Sequence, residues 1–475
     1  TSFMDVAQFR YWAHQFADWM ADYFEHVGEY PVKPSLLPGD IKNQLPAQAP
    51  ELGEDFERQF EDFKNIILPG MTHWQHPRFF AYFPASRSAP SVLAEMLTAT
   101  LGAQCMIWYT SPAAEELEER CMEWLMEMLA LPGQWAGVIQ ETASAATLVA
   151  LLMAREKASS FGVNQSGFYG RPPMRIYASD QVHSSIPKAV KIAGFGEEHL
   201  VTVPSDGNFA MRPEALEAAV AHDIAAGLQP IAVVAAMGTT SSTAIDPIAP
   251  IGQICKKYNL FLHVDAAYAG TALILPEMRW MGEGLEMADS FVFNPHKWMF
   301  VNFDCSAFFV RDKKLLQDTF SILPEYLKTP LDHQVNNYRD WGIQLGRRFR
   351  ALKLWFVIRT YGIEGLRARI REHIRIGRWL ADEVARHEHF ELLAPVPLNL
   401  VCFRFRPSDI QDESQLNTLN EQLLRTLNDS GEILLTQTRL NGKYALRLVA
   451  GQTEASLDDV RNGWAQICRV AATLK

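Results

Sequence analysis

The sequence predicts an α/β fold, a mostly parallel seven-stranded sheet flanked by helices, with a helical segment before it and a small α+β domain after it. Three observations carry this expectation. Short, almost wholly apolar runs recur through the middle of the chain with helical stretches between them, and strands of that kind are covered on both faces, as in parallel sheets. Aromatic residues spaced by three and four near the start paint a helix face. A hairpin-type turn punctuates the last quarter.

Residues 1–88 read as the helical segment. Phe9, Trp12, Phe16, Met20 and Tyr23 share one face, Trp19 and Phe24 widen it, and a second helical stretch covers 56–67 after a proline-rich connection. Faces this broad with little chain to cover them suggest packing on a second subunit, and docking on the chain's own core fits the pattern equally. Residues 89–352 form the large α/β domain, with strands expected at 137–140, 175–178, 200–203, 231–236, 260–264, 290–293 and 306–310. Residues 353–475 form the small α+β domain. There Asn441-Gly442 between 433–438 and 444–449 reads as a type I′ turn. Leu416, Leu419, Leu423 and Leu427 make a helical stripe that Gly431 can end. Ser456 and Asp459 can cap the final helix.

Composition excludes several classes. The chain has 475 residues with 44 Lys and Arg against 55 Asp and Glu, a net charge of −11, and no basic stripe for nucleic acid. Apolar runs such as 231–237 are far too short to span a bilayer, and no charged-then-apolar leader is expected. The six cysteines are scattered without CxxC spacing, which suits reduced thiols in a cytoplasmic protein. His73-x-x-His76 and His387-Glu388-His389 lack further partners, so no metal is expected. Ser185-x-x-Lys188 lacks the companions of acyl-transfer enzymes, and Arg347–Arg350 reads as an ion-paired helix face.

Ligands of parallel sheets bind beyond the carboxyl ends of the strands, and four such ends carry unusual chemistry. Asp265 ends an apolar run, where a carboxylate needs a cation or a donor. Lys297 follows another within Asn294-Pro295-His296-Lys297-Trp298, and a desolvated lysine gives up its proton readily, as imine formation requires. Glu141-Thr142-Ala143-Ser144 leads into an apolar helix, a start suited to phosphate. His183 follows the run at 175–178 and offers a ring or a general acid. Together they describe one ligand, with a ring cation needing a carboxylate, an aldehyde needing an amine and a phosphate needing a helix start. Pyridoxal phosphate has all three parts.

His263-Val264-Asp265-Ala266-Ala267-Tyr268-Ala269-Gly270 and the Asn294–Trp298 motif resemble the group II pyridoxal-phosphate decarboxylases. Pro69–Trp74, Phe80–Pro84 and Leu345–Arg350 narrow the resemblance to the aromatic-L-amino-acid decarboxylases, and it covers nearly the whole chain. The resemblance implies the fold-type I architecture of pyridoxal-phosphate transferases and a homodimer with active sites at the subunit interface. It implies that Lys297 holds the cofactor covalently, that Asp265 keeps the pyridine nitrogen protonated, and that Ala267 and His183 flank the ring. Ala143, Ser144 and Asn294 would hold the phosphate with His296 nearby, and Thr240 would sit by the ring. Relatives often carry Glu at the position of Ala145.

Tyr326 matches the family tyrosine that delivers a proton from a mobile loop, here reaching to about Trp341. Related aldehyde synthases carry Phe there, so Tyr326 favours release of an amine over oxidative deamination to an aldehyde. The aromatic slot would be lined by Trp74, Tyr82, Phe83, Pro84 and Ala85, with Gln104 and Met106 from the other subunit. Ala85 stands where catechol-selective animal enzymes have Thr, and Gly346 where histidine decarboxylases have Ser. The implied reaction converts an aromatic L-amino acid to its amine and carbon dioxide, with the preferred ring left open.

Overall fold

The computed structural model describes residues 4–322, 331–332 and 334–474, so Tyr326 lies outside the described residues. The chain divides into two compact units, one of residues 85–381 and 393–402, the other of residues 1–84, 382–392 and 403–475.

The larger unit is built on seven strands, β1 (Ala136–Gln140), β2 (Met174–Ser179), β3 (Leu200–Val203), β4 (Gln229–Ala236), β5 (Phe261–Asp265), β6 (Ser290–Phe293) and β7 (Ser306–Val310). They lie in the order β1-β7-β6-β5-β4-β2-β3. All neighbouring pairs are parallel except those of β7, which runs against both β1 and β6. Every residue of β6 and β7 is buried, which explains runs without polar alternation. The strands match the expected ones within a few residues at each end. One shift matters, because Asp265 is the last residue of β5 and keeps its backbone in the ladder opposite Val292. With β1, β2, β4, β5 and β6 all running one way, their carboxyl ends share a single edge.

Three helices in this unit bear on the site, and two more lie in the other. In chain order they are α1 (Val6–His26), α2 (Phe56–Asp62), α3 (Ala89–Leu101), α4 (Pro112–Met128) and α5 (Ala143–Ser159). Helix α5 lays Ala146, Val149, Ala150 and Met153 onto Ile176, Val234, Val292 and Phe308 of the sheet. That contact fixes where its first turn meets the strand ends.

In the smaller unit α1 opens on a capping box between Asp5 and Gln8 and contains no buried residue. Its aromatic face meets the second helix, with Trp12 5.1 Å from Phe56, Phe16 4.9 Å from Phe60 and Trp19 5.1 Å from Phe63. The predicted stretch 56–67 is α2 followed by a π-helical turn over Phe63–Ile67. Val32, Phe79 and Ala81 bury together against Leu434, joining N-terminal and C-terminal chain in one core. A second sheet has the order β10-β11-β9-β8, from β8 (Phe390–Leu392), β9 (Leu400–Phe405), β10 (Thr436–Leu440) and β11 (Lys443–Val449). Asn441 and Gly442 both have positive φ, 50° and 80°, as a type I′ turn demands. The leucine stripe lies on the helix Glu413–Asp429 with Gly431 at φ 71° just beyond, and Ser456 and Asp459 form a capping box.

Two expectations are corrected. Arg347, Arg348 and Phe349 precede the helix that starts at Arg350, so the basic run does not form a helix face. Arg347 is instead drawn inward, its guanidinium 2.6 Å from Glu118, 3.0 Å from the Ile139 carbonyl and over the Tyr338 ring. The polar loop expected to reach Trp341 ends sooner, since Tyr338, Arg339 and Trp341 are buried. Aromatic burial there outweighs the polar neighbours.

Candidate active site

Five strand ends converge on the shared edge. After β1, the Thr142 hydroxyl caps α5 by accepting the Ala145 N–H at 3.2 Å, and the Ala146 N–H bonds the Thr142 carbonyl. A helix start leaves its first N–H groups without intrahelical acceptors. Those of Ala143 and Ser144 therefore form, with the exposed Ser144 hydroxyl, an anion-ready turn. Ala145 needs no side chain for this, because the backbone supplies the donors.

At the end of β5 one Asp265 oxygen accepts the Ala267 N–H at 3.1 Å, and the Asp265 carbonyl accepts the Met237 N–H from the β4 side. The Ala267 carbonyl accepts the Asn294 N–H, which ties the β5 and β6 ends together at 2.9 Å. Lys297 stands in a short helical turn, Pro295–Trp298, whose neighbours His296 and Trp298 are buried. Burial pushes the Lys297 amine below its usual pKa, and the charge of Asp265 partly opposes that shift.

The Asn294 side chain accepts the Ser306 hydroxyl at 2.5 Å, and His296 Nδ1 accepts the Cys305 N–H at 2.8 Å. Burial, reinforced by Lys297, holds His296 neutral with a pKa down to about 3. His183 is exposed, yet enough protein surrounds its ring that burial, then Lys297, lower its pKa. Its Nδ1 accepts the Ser185 N–H at 3.1 Å, so the neutral ring carries its proton on Nε2. Thr240 follows Gly238, whose φ of 88° and close approach to Ala269 exclude a Cβ. Lys297, Asp265, His183, Ala143, Ser144, Thr240, Ala267, Asn294 and His296 thus all stand at or just beyond the strand ends of one sheet edge. They fit pyridoxal phosphate by the chemistry of the donor set, with an activated amine, a carboxylate, open amides and a flanking ring.

A profile described as the pyridoxal-dependent decarboxylase conserved domain matches residues 38–406. The chain belongs to this family. The decarboxylase is 44% identical to the aromatic-L-amino-acid decarboxylase of Sus scrofa, covering 99% of this chain and 98% of that one. It is 42% identical to a phenylacetaldehyde synthase of Arabidopsis thaliana, covering 99% and 97%. The crystal structure of Oryza sativa TDC with PLP and tryptamine superposes with a TM-score of 0.96 at 34% identity, covering 100% of this chain and 99% of that one. The decarboxylase is a fold-type I enzyme, a carboxy-lyase, and its cofactor is pyridoxal phosphate.

The expected substrate residues fall into two sets. In the smaller unit Trp74 stacks on Tyr82 at 5.6 Å, and Tyr82 has a positive φ of 56°. Pro84 is buried, and Arg447 sits 5.4 Å over the Phe83 ring. In the larger unit Gln104 Oε1 accepts the Arg347 N–H at 2.8 Å, and a Cβ on Gly346 would lie 3.1 Å from Gln104 Nε2. The Met106 carbonyl accepts the Arg339 N–H, and Ala85 is half-buried.

His73 and His76 bond Tyr23 Oη and the Gly28 carbonyl and act as struts, and no metal-holding cluster occurs among the described residues. All six cysteines are free. No helix among the described residues is long and apolar enough to cross a membrane.

His263 stands in the motif that ends β5, and its sequence position alone assigns it no role. The structure places it fully buried, with Nδ1 2.7 Å from Ser290 Oγ and Nε2 3.3 Å from Thr147 Oγ1. It links α5, β5 and β6, the elements that carry the anion turn, Asp265 and Lys297 at their ends. A histidine inside an apolar strand was the available signal.

Proposed function

We propose that the chain decarboxylates an aromatic L-amino acid to the corresponding amine and carbon dioxide. The observation that carries this reading is Lys297, an amine lowered in pKa by burial, set on the strand end beside that of Asp265. When bound, pyridoxal phosphate supplies an electron sink for the pair left behind by carbon dioxide.

In this reading Lys297 would hold the aldehyde end through its amine. Asp265 would hold a proton on the ring nitrogen, and the Ala143 and Ser144 amides with Asn294 would bind the phosphate. His183 would cover one ring face and Ala267 would pack on the other. Residues lining the aromatic slot would orient the substrate carboxylate, and positioning selects the reaction. Tyr326 returns a proton to the substrate α-carbon.

The same reading includes a homodimer with the active sites at the subunit interface, supported by the aromatic α1 face that holds no buried residue. It includes a cytoplasmic setting, supported by six cysteines without a disulfide. Neither nucleic acid nor a membrane is a partner.

The test is a screen of tyrosine, DOPA, phenylalanine, tryptophan and 5-hydroxytryptophan for carbon dioxide release with one amine per turnover. No release from any of them would refute the reading. A second reading, aromatic acetaldehyde synthesis, is favoured by the 42% identity to the Arabidopsis synthase. Stoichiometric hydrogen peroxide and ammonia would select it.

A further inference from the structure

Three buried serines precede or open α3, and all three spend their hydroxyls on the short stretch that begins at Lys297. Ser86 Oγ donates to the Lys297 carbonyl at 2.5 Å, while the Ser86 N–H bonds the His296 carbonyl at 3.2 Å. Ser88 occupies the N-cap position of α3 yet makes no side-chain cap bond, and donates to the Phe300 carbonyl at 2.7 Å. Ser91 pairs with the Asn302 side chain and accepts the Asn302 N–H at 2.7 Å. Between these points Phe300 has a φ of 61°, a left-handed conformation that a bulky residue adopts only when its surroundings over-determine it. Serine at a helix start ordinarily satisfies its own helix. Here the hydroxyls are diverted across the fold, to the carbonyls of Lys297 and Phe300 and to Asn302.

We propose that Ser86, Ser88 and Ser91 form a hydroxyl ladder that holds the strained turn after Lys297 and so positions the reactive amine, with Ser86 the dominant rung. They are positioning residues, acting through the backbone of Lys297, Phe300 and Asn302. The ladder rests on the reading of Lys297 as the cofactor-bearing amine.

The test compares Ser86→Ala, Ser88→Ala and Ser91→Ala in the holoenzyme, each removing one oxygen and adding no volume. The readouts are kcat, KM, melting temperature, and the pH midpoint of the visible band of the lysine-bound cofactor. In Ser86→Ala kcat is expected to fall about 10- to 100-fold, the scale of a small misplacement of a reacting group. KM should stay within about twofold, because ground-state binding is not what the ladder supplies. The midpoint should move most in Ser86→Ala, less in Ser88→Ala and least in Ser91→Ala, without following the order of melting temperatures. Ser86→Cys, which puts a larger atom and a weaker donor in place of the hydroxyl, replaces Ser86→Ala if that protein does not fold. An unchanged kcat and midpoint at position 86, or equal midpoint shifts at all three positions, overturns the ladder alone. Borohydride trapping of the wild-type cofactor at a residue other than Lys297 overturns the reading beneath it, and the ladder with it.

Discussion

The carboxyl edge of the seven-stranded sheet and the α1–α2 pair use their side chains in opposite ways. At the edge, polar groups are buried and answered one by one, as Ser306 answers Asn294, Cys305 answers His296, and Thr147 and Ser290 answer His263. In α1 and α2 the large side chains are aromatic, they touch one another, and α1 buries none of its residues. A buried polar group without a partner costs a large part of a domain's stability, so the edge is specified atom by atom within one chain. An apolar face is specified only by area and shape, and its completion can come from another surface. The first arrangement suits chemistry and the second suits association.

The sharpest way to break this contrast is Lys297→Ala. Decarboxylation should fall by at least about 10^3-fold and the visible band should vanish, as measured by carbon dioxide release and absorbance, because no other described group supplies the amine. Next, replacing Trp12 and Phe60 together by Ser should weaken self-association by roughly 100-fold, which sedimentation at graded concentrations would read. Removing two large aromatic anchors from an interface has effects of that order. If the chain remains equally dimeric, the α1 face is not the contact.

Tyr326→Phe should shift product from amine toward aldehyde, with hydrogen peroxide appearing in proportion. An unchanged product ratio refutes its role as proton donor.

The smallest expected effect is a pH dependence of stability. Burial lowers the folded pKa of His263 and His76 to about 4 and of His296 to about 3, against 6.5 for the exposed ring. Below pH 6.5 the unfolded chain therefore binds more protons, so stability falls as pH drops from 6.5 toward 4 and is full above 6.5. For fully buried His263 alone the loss is on the order of 3 kcal/mol. Chemical denaturation at pH 7 and pH 5 should show a shallower drop in His263→Gln than in the wild type.

Much of the edge was legible because strand context is local. An apolar run ending in Asp265, another followed by Lys297, and hydroxyls ahead of α5 each announce an anomaly that a ligand resolves. Serines 86, 88 and 91 were not legible, since a serine before a helix looks like a cap wherever its hydroxyl goes. Arg347 was misread for a related reason. Its sequence neighbours are basic, and only burial against Glu118 and Tyr338 turns it inward. Residues 338–341 read as polar loop because Arg339 and Asp340 mask the two aromatics that pack.

The sequence by itself determined which segments become strands and helices, that a hairpin turns at Asn441-Gly442 and the last helix starts after Ser456, and which residue types stand at the strand ends. These follow from periodicity and backbone preference over a few neighbours. Only the tertiary structure decided that β7 runs against its neighbours between β1 and β6, that five strand ends share one edge, and that the segment leading into α3 hydrogen-bonds the turn after Lys297. Strand order and cross-fold hydrogen bonds join residues far apart in the chain, and what selects them is the satisfaction of buried groups in three dimensions.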